Sequence, residues 1–239
     1  MIAEIKRAAR RRGITRLCHL TPFRNLVHIA SGDGLLSTKQ LDDHDRATFN
    51  KQDLERLDGH PDYISCSIEY PNAWYGRQRR GDTARAASLF PDWVCLTFEP
   101  KHLWVDTTLF CPRNAAAEGG RLIRGGVEAF ESLYEASVQG SGNRFFTRNA
   151  LPSACPTDEQ AEVLVRRHVP LNDIQHVIVL DEAQARRTFL GLRQLGLSDD
   201  LFRFRICPGV FDPYRLSRLL RSGTRPAEVD WDRREMTGD

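Results

Sequence analysis

The sequence predicts a mixed α+β domain. Strand-like runs such as YISCSI (63–68) and WVCLTF (93–98) are interspersed with segments of helical periodicity. They do not show the regular β-α-β alternation that is typical of a doubly wound parallel sheet. The 239 residues, 41% of them hydrophobic, are enough to bury a sizeable core. Because no linker divides the chain, we expect one domain over residues 1–221 and a polar C-terminal tail at 222–239 that frays.

Local signals predict each element in chain order. A basic helix at 3–12 ends at Gly13, and Pro22 begins a helix over FRNLVHIA. The other predicted elements are a strand at 14–20, a turn at 31–34, a polar helix at 39–58, strands at 63–68 and 93–98, a loop at 112–126, a helix at 127–138, a turn-rich stretch at 140–156, strands at 161–165 and 176–180, a helix at 182–195, a strand at 202–207 and a helix at 213–221.

Composition narrows the functional classes. The net charge is only +2, so charge alone does not indicate a nucleic-acid partner, although all but four of the 34 basic residues are arginines, which suit phosphates and base edges. The six cysteines form no C-x-x-C pair, which argues against a structural zinc site or a disulfide scaffold. With no apolar stretch of about 18 residues and no secretory signal, we expect a cytoplasmic protein without a membrane partner.

Several common catalytic motifs do not occur in the sequence. VIVLDE (177–182) resembles a Walker B strand, but the G-x-x-x-x-G-K-[ST] loop that cradles phosphates is missing. Asp181 is therefore predicted as the N-cap of the following helix. The sequence also lacks G-x-G-x-x-G, G-x-S-x-G, H-E-x-x-H and the paired motifs of base deaminases, which argues against those classes of site.

Three blocks are less easily explained by packing alone. CHLT (18–21) ends an apolar strand and is followed by NLVHIASGDGLLS (25–37). SCSIEYPNAWY (65–75) is a strand that runs into an aromatic-rich turn, and DEQAEVLV (158–165) places an acid at the mouth of an apolar strand. Each block alone also fits a structural role, as a strand-end histidine, a core aromatic cluster or a solvated carboxylate.

Together and in this order, the blocks resemble the ADP-ribosyltransferase superfamily and, more narrowly, the DarT toxins, which ADP-ribosylate bases in single-stranded DNA. The resemblance runs from about Ile14 to Leu180 and includes GGVEAFESLYE (125–135). It implies a split central β-sheet core with surrounding helices, and NAD as the co-substrate without a metal ion. It also implies single-stranded DNA and a macrodomain antitoxin (DarG) as partners, and a role in phage defence.

The resemblance also implies roles for individual residues. Glu162 matches the catalytic glutamate, whose carboxylate stabilises the positive charge that develops at the anomeric carbon. The family has an assisting arginine between the first two blocks, for which Arg46 and Arg56 both qualify; Arg56 is favoured because it is nearer the second strand. The residues implied to bind NAD are His19, Thr21, Gly34, Leu35, Ser67 and Tyr70, the last as an aromatic ring packed on nicotinamide.

The stretch SGNRFFTRN (141–149) predicts a loop that contacts DNA. Arg144 and Arg148 flank Phe145 and its neighbouring phenylalanine, the mixture of positive charge and stacking surface that single strands favour. The alternative is a loop whose phenylalanines pack into the core. A second stacking surface is predicted at Trp74 and Tyr75, followed by three arginines that either hold phosphates or form a solvated basic turn, namely Arg77, Arg79 and Arg80.

We therefore expect an NAD-dependent toxin that transfers ADP-ribose to thymine or guanine in single-stranded DNA and releases nicotinamide. One alternative is a superfamily relative that acts on RNA or protein. Another is a non-catalytic nucleic-acid-binding module. The substitution Glu162→Gln distinguishes these classes, because a binding module should keep its function whereas a transferase should lose nearly all turnover.

Overall fold

The structure, a computed structural model, describes residues 2–43, 57–83, 92–140 and 143–233. Within these residues the helices are α1 (Ile2–Arg12), α2 (Phe23–Ser31), α3 (Thr38–Asp43), α4 (Ala73–Thr83), α5 (Val127–Ser132), α6 (Glu182–Gln194) and α7 (Pro213–Arg221). The strands are β1 (Leu17–Pro22), β2 (Gly34–Leu36), β3 (Tyr63–Ile68), β4 (Trp93–Phe98), β5 (Leu109–Cys111), β6 (Arg124–Gly125), β7 (Ser137–Gln139), β8 (Phe145–Thr147), β9 (Glu162–Arg166), β10 (His168–Pro170), β11 (Ile174–Val179), β12 (Arg203–Ile206) and β13 (Val229–Asp230).

A large mixed sheet forms the centre of the described part of the chain. Its strand order is β13-β12-β11-β4-β1-β3-β9-β5-β6. Only the pair β11–β12 is parallel, and α6 connects these two strands. Two antiparallel ribbons, β2–β10 and β7–β8, complete the strands. The α+β class predicted from the sequence is confirmed.

The sheet is split at its middle, between β1 and β3. β1 pairs with β4 along its whole length, from Leu17 to Pro22. Its pairing with β3 stops after two positions, Leu17–Ile68 and Cys18–Ser67. Beyond Cys18 the two strands separate and leave a cleft, as the split central sheet expected from the resemblance requires.

The two faces of the sheet carry separate cores. Val177 and Val179 of β11 belong to the core that α1, α2, α5 and α6 cover. Ile178 points the other way, into a core that includes Leu216 and Leu220 of α7 and Ala73 of α4. Because neighbouring strand residues point to opposite faces, α6 and α7 lie on opposite sides of the sheet.

All six cysteines are free and buried, as expected for cysteines that pack as small hydrophobes. Burial raises the pKa of the thiols of Cys111 and Cys207 to about 11 and that of Cys155 to about 12. In the described residues, no helix combines the length and apolar character that crossing a membrane requires.

Three expectations about the elements are wrong. The aromatic-rich turn predicted after the strand at 63–68 leads directly into a helix, α4, that begins at Ala73. The helix predicted over 127–138 ends at Ser132, because residues 137–139 instead form β7 and pair with β8. The tail predicted to fray from Ser222 is folded as far as residue 233, since β13 pairs with β12 and Glu228 accepts hydrogen bonds from the buried guanidinium of Arg16. Asp181 does cap α6, as predicted, by accepting a hydrogen bond from the Gln184 N–H at 2.7 Å.

Candidate functional site

A cleft of about 830 Å³ opens where β1 and β3 separate. This volume lies within the usual range for ligand pockets. Residues of β1, α2, β2, β3, α4 and β9 line the cleft, so it collects segments that are far apart in the sequence. Six of the residues predicted for catalysis or NAD binding are among its lining, namely His19, Thr21, Gly34, Leu35, Ser67 and Glu162.

Glu162 is the first residue of β9 and lies opposite Cys111 of β5. Its Oε1 accepts a hydrogen bond from the backbone N–H of Ala115 at 2.9 Å, and its side chain is half-buried. The loop after β5 therefore orients the carboxylate at the wall of the cleft. A carboxylate held in this way can stabilise a positive charge that develops beside it.

His19 follows the last residue of β1 that pairs with β3, and it bridges the split in the sheet. Its Nδ1 lies 2.9 Å from the carbonyl oxygen of Ser65 in β3. Because a carbonyl oxygen can only accept, Nδ1 carries the hydrogen, and in the neutral ring Nε2 is then an acceptor. The bridge fixes both the orientation of the ring and the separation of the two strands.

The segment from α2 to β2 forms another wall. Gly34 has φ +123°, and a Cβ at this position would lie 2.3 Å from the carbonyl oxygen of Val169 in β10. The pairing of β2 with β10 therefore requires glycine here. Asn25 of α2 also lines the cleft, and its buried Oδ1 has no hydrogen-bond partner in the described part of the chain.

Tyr70 does not line the cleft, contrary to the expectation that it packs on nicotinamide. It is 7% exposed and belongs to the core beneath α7, with the Arg16 guanidinium 5.3 Å from its ring centroid. Burial raises the pKa of its hydroxyl. The displacement follows from Glu69, whose φ of +63° ends the extended strand and breaks the alternation of side chains.

Tyr75 lines the cleft, whereas Tyr70 and Trp74 do not. It is therefore the aromatic residue of this segment that can replace Tyr70 in the predicted role. Ser67 Oγ accepts from the Asn72 N–H at 3.2 Å, and Asn72 Oδ1 accepts from the Tyr75 N–H at 3.0 Å. Asn72 thus caps the start of α4 and positions the tyrosine three residues later. An Asn followed by a helix-compatible stretch was the available sequence signal.

A buried carboxylate that the sequence analysis missed stabilises the end of β3. Glu69 is 1% exposed, and its carboxylate accepts hydrogen bonds from Thr15 and lies 3.4 Å from the Arg225 guanidinium. Its backbone carbonyl accepts from Arg16 Nε at 2.8 Å. These contacts compensate for the unusual backbone conformation of Glu69 and hold the turn that leads into α4.

The predicted DNA-contacting loop is part of the β7–β8 hairpin. Phe145 is 60% exposed, and Arg144 is exposed too. Arg148, by contrast, serves the fold, since its guanidinium donates to the carbonyl oxygens of Cys155 and Pro152 at 2.8 and 3.1 Å and lies over the ring of Tyr134. The hairpin therefore offers Arg144 and Phe145, but not Arg148, as an open surface.

The predicted aromatic surface on α4 is divided between two neighbours. The Arg79 guanidinium lies over the Tyr75 ring at the cleft, whereas Trp74 meets the ring of Tyr214 in α7 edge-on, with the centroids 5.0 Å apart.

Both candidates for the assisting arginine, Arg46 and Arg56, lie outside the described residues. Residues 2–43, 57–83, 92–140 and 143–233 contain no group of three or more His, Cys, Asp or Glu side chains that could hold a metal ion.

Known proteins resemble the chain at the level of both sequence and fold. A family model described as "ssDNA thymidine ADP-ribosyltransferase, DarT" matches residues 18–208. The structure of Thermus sp. 2.9 DarT in complex with NAD+ is 18% identical, with a TM-score of 0.50, and the match covers 79% of this chain and 97% of that one. Thermosipho africanus DarTG in complex with ADP-ribose is 13% identical, with a TM-score of 0.55, and the match covers 82% and 51%. No curated protein sequence matches the chain significantly.

Proposed function

This chain belongs to the DarT family of NAD-dependent single-stranded DNA ADP-ribosyltransferases, and we propose that the cleft at the split in its sheet is the active site for ADP-ribosylation of a DNA base. The observation that carries the proposal is the meeting of Glu162 and His19 in this cleft, although 142 positions separate them in the sequence. Both residues match the family on sequence motifs alone, and both have side chains oriented by backbone groups.

We assign NAD to the walls formed by β1, α2 and β2. The Thermus relative is described in complex with NAD+. The unpartnered Oδ1 of Asn25 supports a ligand with hydrogen-bond donors there, such as an amide or an amino group. His19 and Thr21 would hold the ribose and phosphate portion, with Gly34 and Leu35 as the backbone wall. Tyr75, rather than Tyr70, would pack on the nicotinamide ring.

Glu162 would act on the reacting carbon. In this transfer the bond between the anomeric carbon and the nicotinamide nitrogen breaks, nicotinamide leaves as a neutral molecule, and a bond to the target base forms as the base releases a proton to solvent. The anomeric carbon becomes positively charged during the exchange, and the carboxylate of Glu162 would stabilise that charge. The rest of the rate enhancement comes from holding the two reactants in line, since no chemistry in this step requires a metal.

We propose that the base reaches the cleft from the side of α4 and the β7–β8 hairpin. Exposed Phe145 and Arg144 offer a stacking face and a positive charge, and Trp74 lies on the helix that carries Tyr75. Single strands bind through this combination of aromatic and basic side chains. The target base, thymine or guanine, is part of the proposal, and the family description names thymidine.

We further propose that the chain is the toxin of a toxin–antitoxin pair with a role in phage defence, with a macrodomain of the DarG type as its antitoxin. The support is the family membership and the likeness to the chain titled Thermosipho africanus DarTG, of which this chain covers 51%. Co-expression tests the pairing. Growth arrest by the wild-type chain should be relieved by an active macrodomain and should not occur with Glu162→Gln.

The enzymatic proposal is tested by mass spectrometry of a mixed-sequence single-stranded DNA after incubation with NAD. We expect an ADP-ribose adduct with the wild-type protein and its loss with Glu162→Gln. Glu182→Gln is the matched control, because this exposed glutamate begins α6 on the opposite side of the sheet from α7 and should leave the adduct unchanged.

The same experiment separates the alternatives. An adduct on RNA or on protein, with none on DNA, would move the proposed substrate to another superfamily class. Binding of DNA without any consumption of NAD would indicate a non-catalytic module and would contradict the proposed reaction.

A further inference from the structure

Helix α7 was not assigned any function by the sequence, yet it contacts both segments predicted to bind DNA. At its beginning Tyr214 meets Trp74 of α4 edge-on, and the Arg77 guanidinium lies 4.7 Å from the centroid of the Tyr214 ring. At its end Arg221 donates to the carbonyl oxygen of Thr147 at 3.2 Å and lies over the ring of Phe146. The helix therefore joins α4, at the edge of the cleft, to the β7–β8 hairpin.

The outer face of α7 combines an exposed aromatic ring with positive charge. Tyr214 is 59% exposed although it is a large aromatic residue. Arg215 and Arg218 are exposed, and neither forms an ion pair with any residue in the described ranges. Between Pro213 and Arg221 the helix contains no acidic residue.

The acidic groups near α7 are already committed to other contacts. Asp212 caps the helix by accepting from the N–H groups of Tyr214 and Arg215. Glu159 accepts from Ser217 Oγ at 2.7 Å and pairs with Arg221 at 3.0 Å. These carboxylates are engaged at the start of the helix and by Ser217 and Arg221, and neither pairs with Arg215 or Arg218.

We propose that α7 is a second binding surface for single-stranded DNA, which holds nucleotides that flank the target base. A flanking base stacks on Tyr214 beside Trp74, and the neighbouring phosphates bind Arg77, Arg215 and Arg218. Alternation of stacking faces and cations is the arrangement that single strands require, and a folded protein partner would need a larger apolar area than one ring. The inference rests on the proposed function, because it assumes that the strand enters the cleft at α4.

Length dependence tests the surface. The wild-type chain is compared on two single-stranded DNAs with the same central target, one of about 20 nucleotides and one of about three, the second with too few flanking nucleotides to occupy both the cleft and α7. We expect Tyr214→Ala to weaken binding of the long DNA about tenfold, measured by fluorescence anisotropy, and to leave turnover on the short DNA unchanged. Tyr214→Phe keeps the stacking face and should restore binding.

The arginines have their own readout. The double substitution Arg215→Gln with Arg218→Gln should reduce the slope of log affinity against log salt by about 1.4 for the long DNA. The matched control is Arg186→Gln with Arg193→Gln, two exposed arginines of α6 on the opposite face of the sheet, each already near a carboxylate. This control removes the same charge and should leave the slope unchanged.

Each outcome decides one question. Equal affinity and turnover on the two DNA lengths, or equal effects of the α6 and α7 substitutions, would overturn the second surface while leaving the active site intact. If Tyr214→Ala lost binding to the DarG-type macrodomain while its DNA binding stayed unaffected, that result would also overturn the second surface. If neither DNA is bound or modified by the wild-type chain, the proposed function fails and the surface fails with it.

Discussion

At the scale of single residues, Tyr70 and Tyr75 show how a short turn decides which side chain reaches the cleft. The positive φ of Glu69 directs Tyr70 into the core, and the cap made by Asn72 directs Tyr75 to the cleft. Two tyrosines five positions apart therefore have separate roles, one in stability and one, by our proposal, in binding nicotinamide.

Substitution of the two tyrosines should separate these roles. We expect Tyr75→Ala to raise KM for NAD or lower kcat by about tenfold and to cost less stability than Tyr70→Ala, because the half-buried Tyr75 ring lines the cleft while one edge packs near Trp93. Tyr70→Ala should lower the free energy of unfolding by about 3 kcal/mol through the cavity it creates. Kinetics with NAD and thermal unfolding measure both; unchanged NAD kinetics in Tyr75→Ala would contradict its assignment.

Asp158 gives the stability of the molecule a dependence on pH. Burial, with a smaller contribution from the negative charge of Glu159, raises the pKa of its carboxyl to about 6, from an ordinary value of 3.8, against the opposing effects of the Gln160 N–H, Arg113 and Arg221. As pH rises from about 4 to 6, the unfolded chain loses this proton while the folded chain keeps it. Folding stability therefore falls through this window by about 3 kcal/mol and is constant in this respect above it.

The variant Asp158→Asn should lack this loss. Its amide oxygen can still accept from the Gln160 N–H, which the carboxylate does at 2.9 Å. We expect it to be more stable than the wild type at pH 7 and equal to it near pH 4, as measured by urea unfolding at a series of pH values. A difference between the two proteins that does not vary with pH would show that Asp158 is not the group responsible.

At the scale of elements, the wall of the cleft depends on how the ribbon β2–β10 approaches the sheet. Gly34 pairs with Pro170, and the backbone of β10 leaves no room there for a Cβ. Since the same ribbon places Leu35 at the cleft, its position links strand packing to the shape of the site.

Gly34→Ala should therefore affect both stability and ligand binding. A Cβ lying 2.3 Å from Val169 O must displace backbone, so we expect a loss of about 3 kcal/mol in the free energy of unfolding and a weaker affinity for NAD. Gly13→Ala is the control, because Gly13 also has positive φ but no atom within 4 Å of the added carbon. It should cost about 1 kcal/mol and leave NAD binding unchanged, as calorimetry and NAD titration can show.

The sequence predicted elements well where the signal for an element lies entirely within its own residues. The strands at 63–68 and 93–98 and the cap at Asp181 are confirmed, because alternation and capping depend on neighbouring residues. The stretch 127–138 was predicted as one helix, but its last residues pair with 145–147 instead. The periodicity of apolar residues in 127–138 fits a helix, and it does not show that residues 137–139 have a pairing partner beyond the following turn.

The candidate site was predicted in the same uneven way. Motif matches identified Glu162, which begins β9 as the strand pattern predicted, and His19, which lies within β1 and not at its end as predicted. Arg148 was assigned to DNA because charge and aromatic residues alternate around it. Its guanidinium instead satisfies carbonyl groups of residues 152 and 155, contacts that depend on the tertiary fold and are invisible in the sequence.

At the scale of the whole molecule, the C-terminal segment completes the sheet instead of fraying. Arg16 at the start of β1 is 8% exposed and is paired with Glu228, which also lies 3.6 Å from Arg205. Trp231 packs its ring against Phe189 and Phe204. The segment around Glu228 is thus joined to Arg16, which directly precedes β1, the strand that carries His19.

Deletion of residues 222–239 should therefore destabilise the entire fold. Removal of Glu228 leaves the Arg16 guanidinium buried without its partner carboxylate, which costs about 3–5 kcal/mol, and the melting temperature should fall by about 10 °C. A shorter deletion of 234–239 keeps all of these contacts and should have little effect. Equal melting temperatures for the two truncated proteins would contradict the structural role of the segment.

The burial of all six native thiols has a practical consequence for following the proposed encounter with DNA. A buried thiol with a raised pKa is mostly protonated at neutral pH and reacts slowly with maleimide reagents. A single cysteine introduced at exposed Thr147 in β8 or at exposed Ser222, which caps the end of α7, would then be the preferred site of labelling, without removal of any native cysteine or of the proposed stacking rings. A fluorophore on either element could report when a strand arrives there, which turns a feature of core packing into a means of observing the surface.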